Sequence, residues 1–312
     1  MSIVLIGAGE LGSRHLQGLA TAQSERVIVV EPDAAMRARA EARYGEVRGP
    51  ASPALELVGD LADVDVVADV GIVATGSLPR RAIVERLVAL GRAPKKLVLE
   101  KFLFPAVDDY AAVAALLAGA WVSTWVNTPR RRWALYQALR AQLAARPFHM
   151  RVEGEAWGLA CNAIHFVDAF AYVAGADVVD VEFAGAGDVV DAKRAGYVEM
   201  FGVLRARAGA ASLTVQCAPG DAARLSVALD VDGHHAVVDE RAGVCAALSV
   251  QTSAPAFQSK DTGALVNALL ADAPCGLPTL SESSAMHVPV LQGFLRHFRA
   301  VRDPGAQLCP IT

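Results

Sequence analysis

The chain reads as an α/β protein, with an N-terminal doubly wound parallel sheet followed by an α+β domain whose sheet is mainly antiparallel. Three observations predict this. A buried-strand pattern at Ile3–Ile6 runs directly into three glycines spaced G-x-G-x-x-G. Apolar runs and amphipathic runs then alternate to about residue 123, the rhythm of a parallel sheet covered by helices. Beyond that point most β-like runs follow one another with no helix between them, the rhythm of antiparallel pairing. At 312 residues the chain exceeds one ordinary core. The change of rhythm divides it into 1–123 and 124–312.

The elements follow in order. The turn Gly7-Ala8-Gly9-Glu10-Leu11-Gly12 leads from the first strand into a helix. Gly7 permits a tight turn, Gly9 admits backbone close to a pyrophosphate, and Gly12 lets the helix pack on the strand. The helix N-terminus presents N–H groups and a partial positive charge to phosphates. A second strand, Arg26–Val30, ends at Glu31, nineteen residues past Gly12. A carboxylate there accepts both hydroxyls of an adenosine ribose and repels a 2′-phosphate, which favours NAD over NADP. The alternative is a glutamate at a strand end in solvent. A helix over Asp33–Tyr44, a strand over Asp65–Ala74, a helix over Arg80–Leu90, a strand over Lys96–Glu100 and a helix over Asp108–Leu117 continue the alternation.

In the second half, helices are expected at Ala134–Leu143 and around His165. Strands are expected at Val179–Phe183, Tyr197–Arg207, Ser212–Cys217, Arg224–Asp230, His235–Glu240 and Val244–Val250. Asp232-Gly233 is a hairpin signal. Thr279-x-x-Glu282 has capping-box spacing and opens a last helix with Leu291, Phe294, Leu295 and Phe298 on its apolar side. Pro289 is expected to kink or delay that helix. His287 reads as a surface residue of it, the alternative being a group that reaches a cleft.

Three sets of polar residues stand out. Glu100 and Lys101 lie at the carboxyl end of a buried strand, the edge where open α/β sheets bind ligands; a solvated lysine is the bland reading. In the apolar run 157–175, His165 and Asp168 share one helical side with Cys161 a turn earlier. A lone histidine in such a helix is ordinarily a core residue. The run Arg130-Arg131-Arg132 sits near Asn127 and beside Trp133; its guanidiniums suit a phosphate or carboxylate on a sugar, or else a solvated turn.

Composition excludes other classes. The net charge of −4 carries no basic bias toward nucleic acid. No run is long and apolar enough to span a bilayer, and the chain opens on a strand pattern with no cleavable leader. The five cysteines are scattered and lack C-x-x-C spacing, which fits a reduced, cytoplasmic protein without a metal site.

Taken in order, Gly7-x-Gly9-x-x-Gly12 with "SRHLQGL" behind it, Glu100-Lys101-Phe102 and the helix carrying His165 resemble the Gfo/Idh/MocA family of nicotinamide-dependent oxidoreductases. The resemblance spans nearly the whole chain. Two positions depart from the family pattern: Phe102 stands where the Glu-Lys-Pro motif has proline, and Cys161 stands where an aspartate commonly precedes the histidine by four residues. "LEKFLF", "VNTPRRRW", "GLACNAIHFVD" and "LPTLSESSAMHVPVLQGFLRHF" resemble the branch that makes surface-polysaccharide and sialic-acid-like sugars. The resemblance implies NAD(P)-dependent oxidation of a secondary hydroxyl on a sugar or sugar derivative. His165 would be the general base and Lys101 the group holding the oxygen. It implies Thr75 and Ser77 at the nicotinamide ribose, and Asn127, Arg130, Arg131, Cys161, Asn162 and Asp168 around the substrate. It also implies a homo-oligomer, a dimer or tetramer, built on the outer face of the second sheet. Two other classes stay open: a nucleotide-binding sensor or scaffold without turnover, and a redox-cycling hydrolase or isomerase that retains its NAD.

Overall fold

The computed structural model describes the backbone of residues 1–312 and every side chain except those of Gln258 and Ser259. In chain order the elements are β1 (Ser2–Ile6), α1 (Glu10–Leu19), β2 (Arg26–Val30), α2 (Ala34–Gly45), β3 (Ala54–Val58), β4 (Val70–Val73), α3 (Ser77–Ala89), β5 (Lys96–Glu100), α4 (Asp108–Gly119) and β6 (Ser123–Asn127). There follow α5 (Ala134–Leu143), β7 (His149–Glu155), α6 (Leu159–Ala174), β8 (Val178–Gly185), β9 (Val190–Asp191), β10 (Val198–Glu199), β11 (Gly202–Ala208) and β12 (Ala211–Ala218). The chain ends with β13 (Arg224–Val231), β14 (His234–Val238), β15 (Val244–Cys245), β16 (Val250–Gln251), α7 (Gln258–Leu270) and α8 (Leu280–Val301).

The chain forms two compact units, and neither is continuous in sequence. The first gathers Met1–Leu103, Ala111–Asn127 and Ala256–Leu280; the second gathers Phe104–Tyr110, Thr128–Pro255 and Ser281–Thr312. The position expected to end the first domain, residue 123, is the first residue of β6.

The first unit holds six parallel strands in the order β3-β2-β1-β4-β5-β6. This is the doubly wound arrangement, and the order reverses between β1 and β4. Runs such as RVIVV and KLVLE are buried almost throughout, as strands covered on both faces must be. Asp33 starts α2 by accepting bonds from the backbone N–H groups of Ala35 at 2.8 Å and Met36 at 3.0 Å. Two strands of this sheet, β3 and β6, lie outside the sequence expectation: ALELV carries a glutamate mid-run, and STWVN is polar at both ends. Helix α7 lies outside it too, and it completes the core: Leu265, Val266 and Leu269 pack with Leu16, Leu19 and the apolar faces of the strands.

The second unit is built on a six-stranded sheet, β14-β13-β7-β12-β11-β8, in which β7 and β12 run parallel and every other neighbouring pair is antiparallel. Strand β7 leaves little trace in the sequence because HMRVEGE buries little more than Met150 and Val152. The expected strand Val244–Val250 is two short strands separated by a 3-10 turn over Ala246–Leu248. Helix α6 buries Ala163, Ile164, Phe166, Val167 and Phe170. Helix α8 runs through Pro289 without interruption, and its Phe294 meets Phe183 of β8 edge to face at 4.8 Å. His287 is fully buried on α8, with Nδ1 2.9 Å from the Ser283 carbonyl and its ring 6.1 Å from that of Tyr110. It is therefore a core residue, not the surface residue expected. Among the described residues no helix is long and apolar enough to cross a membrane.

Candidate functional site

The carboxyl ends of β1 and β4, where the strand order reverses, are the place where open α/β sheets receive ligands. The glycine turn lies there. Gly7 has φ of +92°, a left-handed conformation that disfavours any side chain. A Cβ on Gly12 would sit 1.9 Å from the Gly7 carbonyl oxygen, so the start of α1 approaches the turn more closely than any larger residue permits. A Cβ on Gly9 would meet no atom within 4 Å, so this position opens onto free space. One glycine bends, one packs and one leaves room. Helix α1 begins immediately after Gly9 with no side-chain cap on its first N–H groups.

Glu31 closes the turn from the end of β2. Its Oε2 accepts the Ala8 N–H at 2.8 Å and its Oε1 accepts the Asp33 N–H at 3.1 Å. Arg37 of α2 donates to the carbonyls of Glu31 at 2.6 Å and Pro32 at 2.9 Å, which fixes the main chain on which that carboxylate stands. Glu10, in the first turn of α1, instead points to Arg39 and Arg43 of α2, each at 3.2 Å. Leu11 is half-buried and Ala8 is buried. Thr75 follows β4 and lines the other side of the turn, its methyl group 2.9 Å from where a Gly7 Cβ would be. Ser77 is buried at the start of α3.

Glu100 and Lys101 differ sharply. Lys101 is half-buried just past β5, and the Lys101–Phe102 peptide bond is cis. Glu100 is 2% exposed, with its Oε1 2.8 Å from His15 Nε2 and accepting the Asn127 amide N–H. Burial pushes its carboxyl upward, but the bond and charge of His15, the Asn127 amide and the charge of Lys101 together outweigh it, and Glu100 titrates below the usual carboxylate value. Glu100 is an internal anchor within the sheet edge. Asn127, expected beside substrate with the arginines, is buried in the first unit against Glu100.

In the second unit, α6 carries Cys161, Asn162 and His165, all half-buried. Glu199 of β10 caps this helix, accepting the N–H groups of Ala160 at 2.5 Å and Cys161 at 3.4 Å. The Asn162 amide donates to the Trp157 carbonyl at 3.0 Å. Asp168, fully buried, meets Arg131 in a two-point pair at 3.0 and 2.5 Å. Arg130 is held likewise by Glu240, at 2.6 and 3.1 Å, with its guanidinium 4.1 Å above the Phe166 ring. Tyr136 donates a further bond to Glu240 at 2.7 Å. Neither guanidinium is the solvated group the sequence suggested, and each has a carboxylate already.

Sequence reasoning passes over His15, Arg80, Glu199 and Glu240. Two of these leave a signal. His15 falls with Gly12, Leu16 and Leu19 on the buried side of α1, and Arg80 falls with Val84 and Leu87 on the buried side of α3. A charged or polar residue on an apolar stripe is a group awaiting a buried partner.

No model of a known protein family matches this chain, and no curated protein matches it. Solved structures do. The chain is similar to the UDP-N-acetylglucosamine 3-dehydrogenase GnnA from Acidithiobacillus ferrooxidans, with a TM-score of 0.66 and 18% identity over 94% of this chain and 96% of that one. It is similar to GenD2 from gentamicin A biosynthesis, solved in complex with NAD, with a TM-score of 0.67 and 17% identity over 95% and 93%. It is also similar to an oxidoreductase from Agrobacterium radiobacter, solved with NAD+, L-tartaric acid and magnesium, with a TM-score of 0.65 and 14% identity over 93% and 94%. At these identities the likeness is one of fold, and it covers both units.

Proposed function

We propose that this chain is an NAD-dependent oxidoreductase acting on a secondary hydroxyl of a sugar or sugar derivative. The observation that carries the proposal is the Glu31 carboxylate bonded to the Ala8 N–H beside the open Gly9, at the point where the strand order reverses. A carboxylate held there accepts ribose hydroxyls and repels a 2′-phosphate, while the turn and the uncapped start of α1 suit a diphosphate. Like-folded proteins solved with NAD, one from antibiotic biosynthesis and one alongside a hydroxy acid, support the same reading, as does GnnA, named as a dehydrogenase of a nucleotide sugar.

Gly7, Ala8, Gly9, Glu10, Leu11, Gly12 and Glu31 form the dinucleotide cradle in this reading, with Thr75 and Ser77 at the nicotinamide ribose. Bound NAD supplies the hydride acceptor. Lys101 holds the substrate oxygen and stabilises the negative charge that develops on it. His165 takes the hydroxyl proton during oxidation and returns it during reduction. Cys161 and Asn162 line the substrate position. Asn127, Arg130, Arg131 and Asp168 support the surrounding chain through Glu100, Glu240 and their mutual pair. A role in surface-polysaccharide or sialic-acid-like sugar synthesis, a cytoplasmic location and a homo-oligomeric state belong to the same proposal.

The test is calorimetry with NAD+ and NADP+, followed by a turnover screen over nucleotide-sugars and amino-sugars read by nicotinamide absorbance. NAD+ binding with turnover that His165→Ala abolishes supports the proposal. Tight NAD+ binding without turnover on any sugar would identify a sensor. NAD that co-purifies and shows no net reduction would identify a redox-cycling hydrolase or isomerase. Failure to bind either dinucleotide would end the proposal.

A further inference from the structure

Lys101 is flanked on both sides by groups that buried polar side chains hold: the Glu100 carboxylate before it and two main-chain carbonyls after it. Before it, Glu100 is held by His15 of α1 at 2.8 Å and by Asn127 of β6, and His15 Nδ1 is 3.0 Å from Thr262 Oγ1 of α7. After it, Arg80 of α3 reaches the carbonyls of Phe102 and Leu103 with one guanidinium nitrogen and that of Thr75 with the other. His15, Arg80 and Thr262 are each 0% exposed. Burying such groups costs several kcal/mol per charge, and apolar residues of similar volume would ordinarily stabilise a core as well or better. What directional bonds add is a defined position for the groups they hold. The groups held here are informative. Helix α1 is the one that starts at the glycine turn, Thr75 lines the other side of that turn, and Glu100 and Phe102 are the immediate neighbours of Lys101.

We propose that His15 and Arg80 are positioning residues that set Lys101 relative to the glycine turn, His15 through Glu100 and Arg80 through the carbonyls of Thr75, Phe102 and Leu103. The assignment rests on the reading of that turn as a dinucleotide cradle. His15 ties α1 to the strand end before the lysine, and Arg80 ties the loop after β4 to the loop after β5. Their effect on chemistry is exerted through Lys101; neither touches a reacting atom.

The experiment uses the full chain and measures the acetylation rate of Lys101 by mass spectrometry, with and without NAD+, using Lys96 as internal reference. Calorimetric NAD+ affinity is measured alongside. The variants are His15→Leu, which removes both bonds, His15→Gln, which keeps a donor toward Glu100, and Arg80→Lys, which keeps the charge but loses the planar fork that reaches three carbonyls. The proposal expects His15→Leu and Arg80→Lys to change the Lys101 rate relative to Lys96 and to weaken NAD+ binding by about tenfold, about 1.4 kcal/mol. His15→Gln should restore most of both. Wild-type Lys101 rates and NAD+ affinity in Arg80→Lys and His15→Leu would overturn it. If His15→Leu fails to melt cooperatively, Arg80→Lys decides alone. If the wild type binds no NAD+, the cradle reading fails, while the NAD+-free labelling rates still report whether these residues position the lysine.

Discussion

The glycine turn after β1 and the arginine turn after β6 are both short segments with a conspicuous composition, and both read in the sequence as ligand-binding. They are built differently. In the glycine turn the conspicuous features are main-chain N–H groups and absent side chains, and what lies around them is space on one side and a carbonyl oxygen on the other. In the turn over Pro129–Arg132 the conspicuous groups are side chains, and Asp168 and Glu240 occupy the guanidiniums of Arg131 and Arg130. A motif written in backbone geometry keeps its meaning wherever the fold puts it. A motif written in long charged side chains takes its meaning from the partners that tertiary structure supplies.

The largest expected effect tests the second half of that contrast. Arg131→Ala leaves the buried Asp168 carboxylate without its guanidinium, and stability should fall by about 3–5 kcal/mol in urea unfolding. Replacing both partners, Arg131→Met with Asp168→Leu, should recover most of the loss. If Arg131→Ala keeps wild-type stability and only raises KM for the sugar, the arginine belongs to substrate and the contrast collapses.

The glycine turn gives the next largest effect. Gly12→Ala sets a Cβ 1.9 Å from a carbonyl oxygen, and should cost about 1–3 kcal/mol while removing NAD+ binding. Gly9→Ala meets no atom and should lie within about 0.5 kcal/mol of wild type, its effect confined to NAD+ affinity. Equal destabilisation by the two would mean that the turn is a structural bend and no cradle. A smaller change is expected from Glu31→Gln. Removing the charge while keeping the shape should shift the ratio of NAD+ to NADP+ dissociation constants by about tenfold toward NADP+, or about 1.4 kcal/mol.

The last prediction concerns pH. Burial pushes the Asp168 carboxyl up to about 6, prevailing over the attraction of Arg131 and the Thr128 hydroxyl. The folded state therefore holds this proton longer than the unfolded chain does. Asp168 contributes a stability that falls as pH rises from about 4 to about 6. Carboxylates held low, such as Glu100 and Asp60, contribute the opposite slope, lost as pH falls. The Tm–pH curve of Asp168→Asn minus that of the wild type should rise across that window, and a flat difference would refute the assignment.

What the sequence discloses follows from the same contrast. The parallel sheet is legible because its strands are apolar runs bounded by glycine and by capping aspartate, and because Gly7, Gly12 and Glu31 act through the local geometry of two adjacent strands. The antiparallel character of the second sheet is legible from uninterrupted β-like runs. Strands β3, β6 and β7 are hidden, since Glu56, Ser123, Asn127 and Glu153 interrupt or bound them with polar groups, and the partners of Glu56 and Asn127, Arg26 and Glu100, lie far away in the chain. Asp168 stands out in the sequence as a polar residue in an apolar helix, and Asn127 only as a neighbour of the arginine run. Their partners, Glu100 and Arg131, are themselves conspicuous, but nothing local links residues 27 and 37 positions apart.

Residues 256–280 supply the last wall of the first unit. Helix α7 lays Leu265, Val266 and Leu269 over Leu16 and Leu19, and its Gly263 approaches so near that a Cβ would lie 2.1 Å from Thr21 Oγ1. During synthesis, then, strands β1 to β6 emerge well before α7 and stay uncovered on the α1 side until residues 256–280 have left the ribosome. Fragments ending at Asn127 or at Pro255 should expose an apolar flank and lose the Thr262 hydroxyl beside His15, whereas a fragment joining Met1–Asn127 to Ala256–Leu280 through a short linker retains the missing wall.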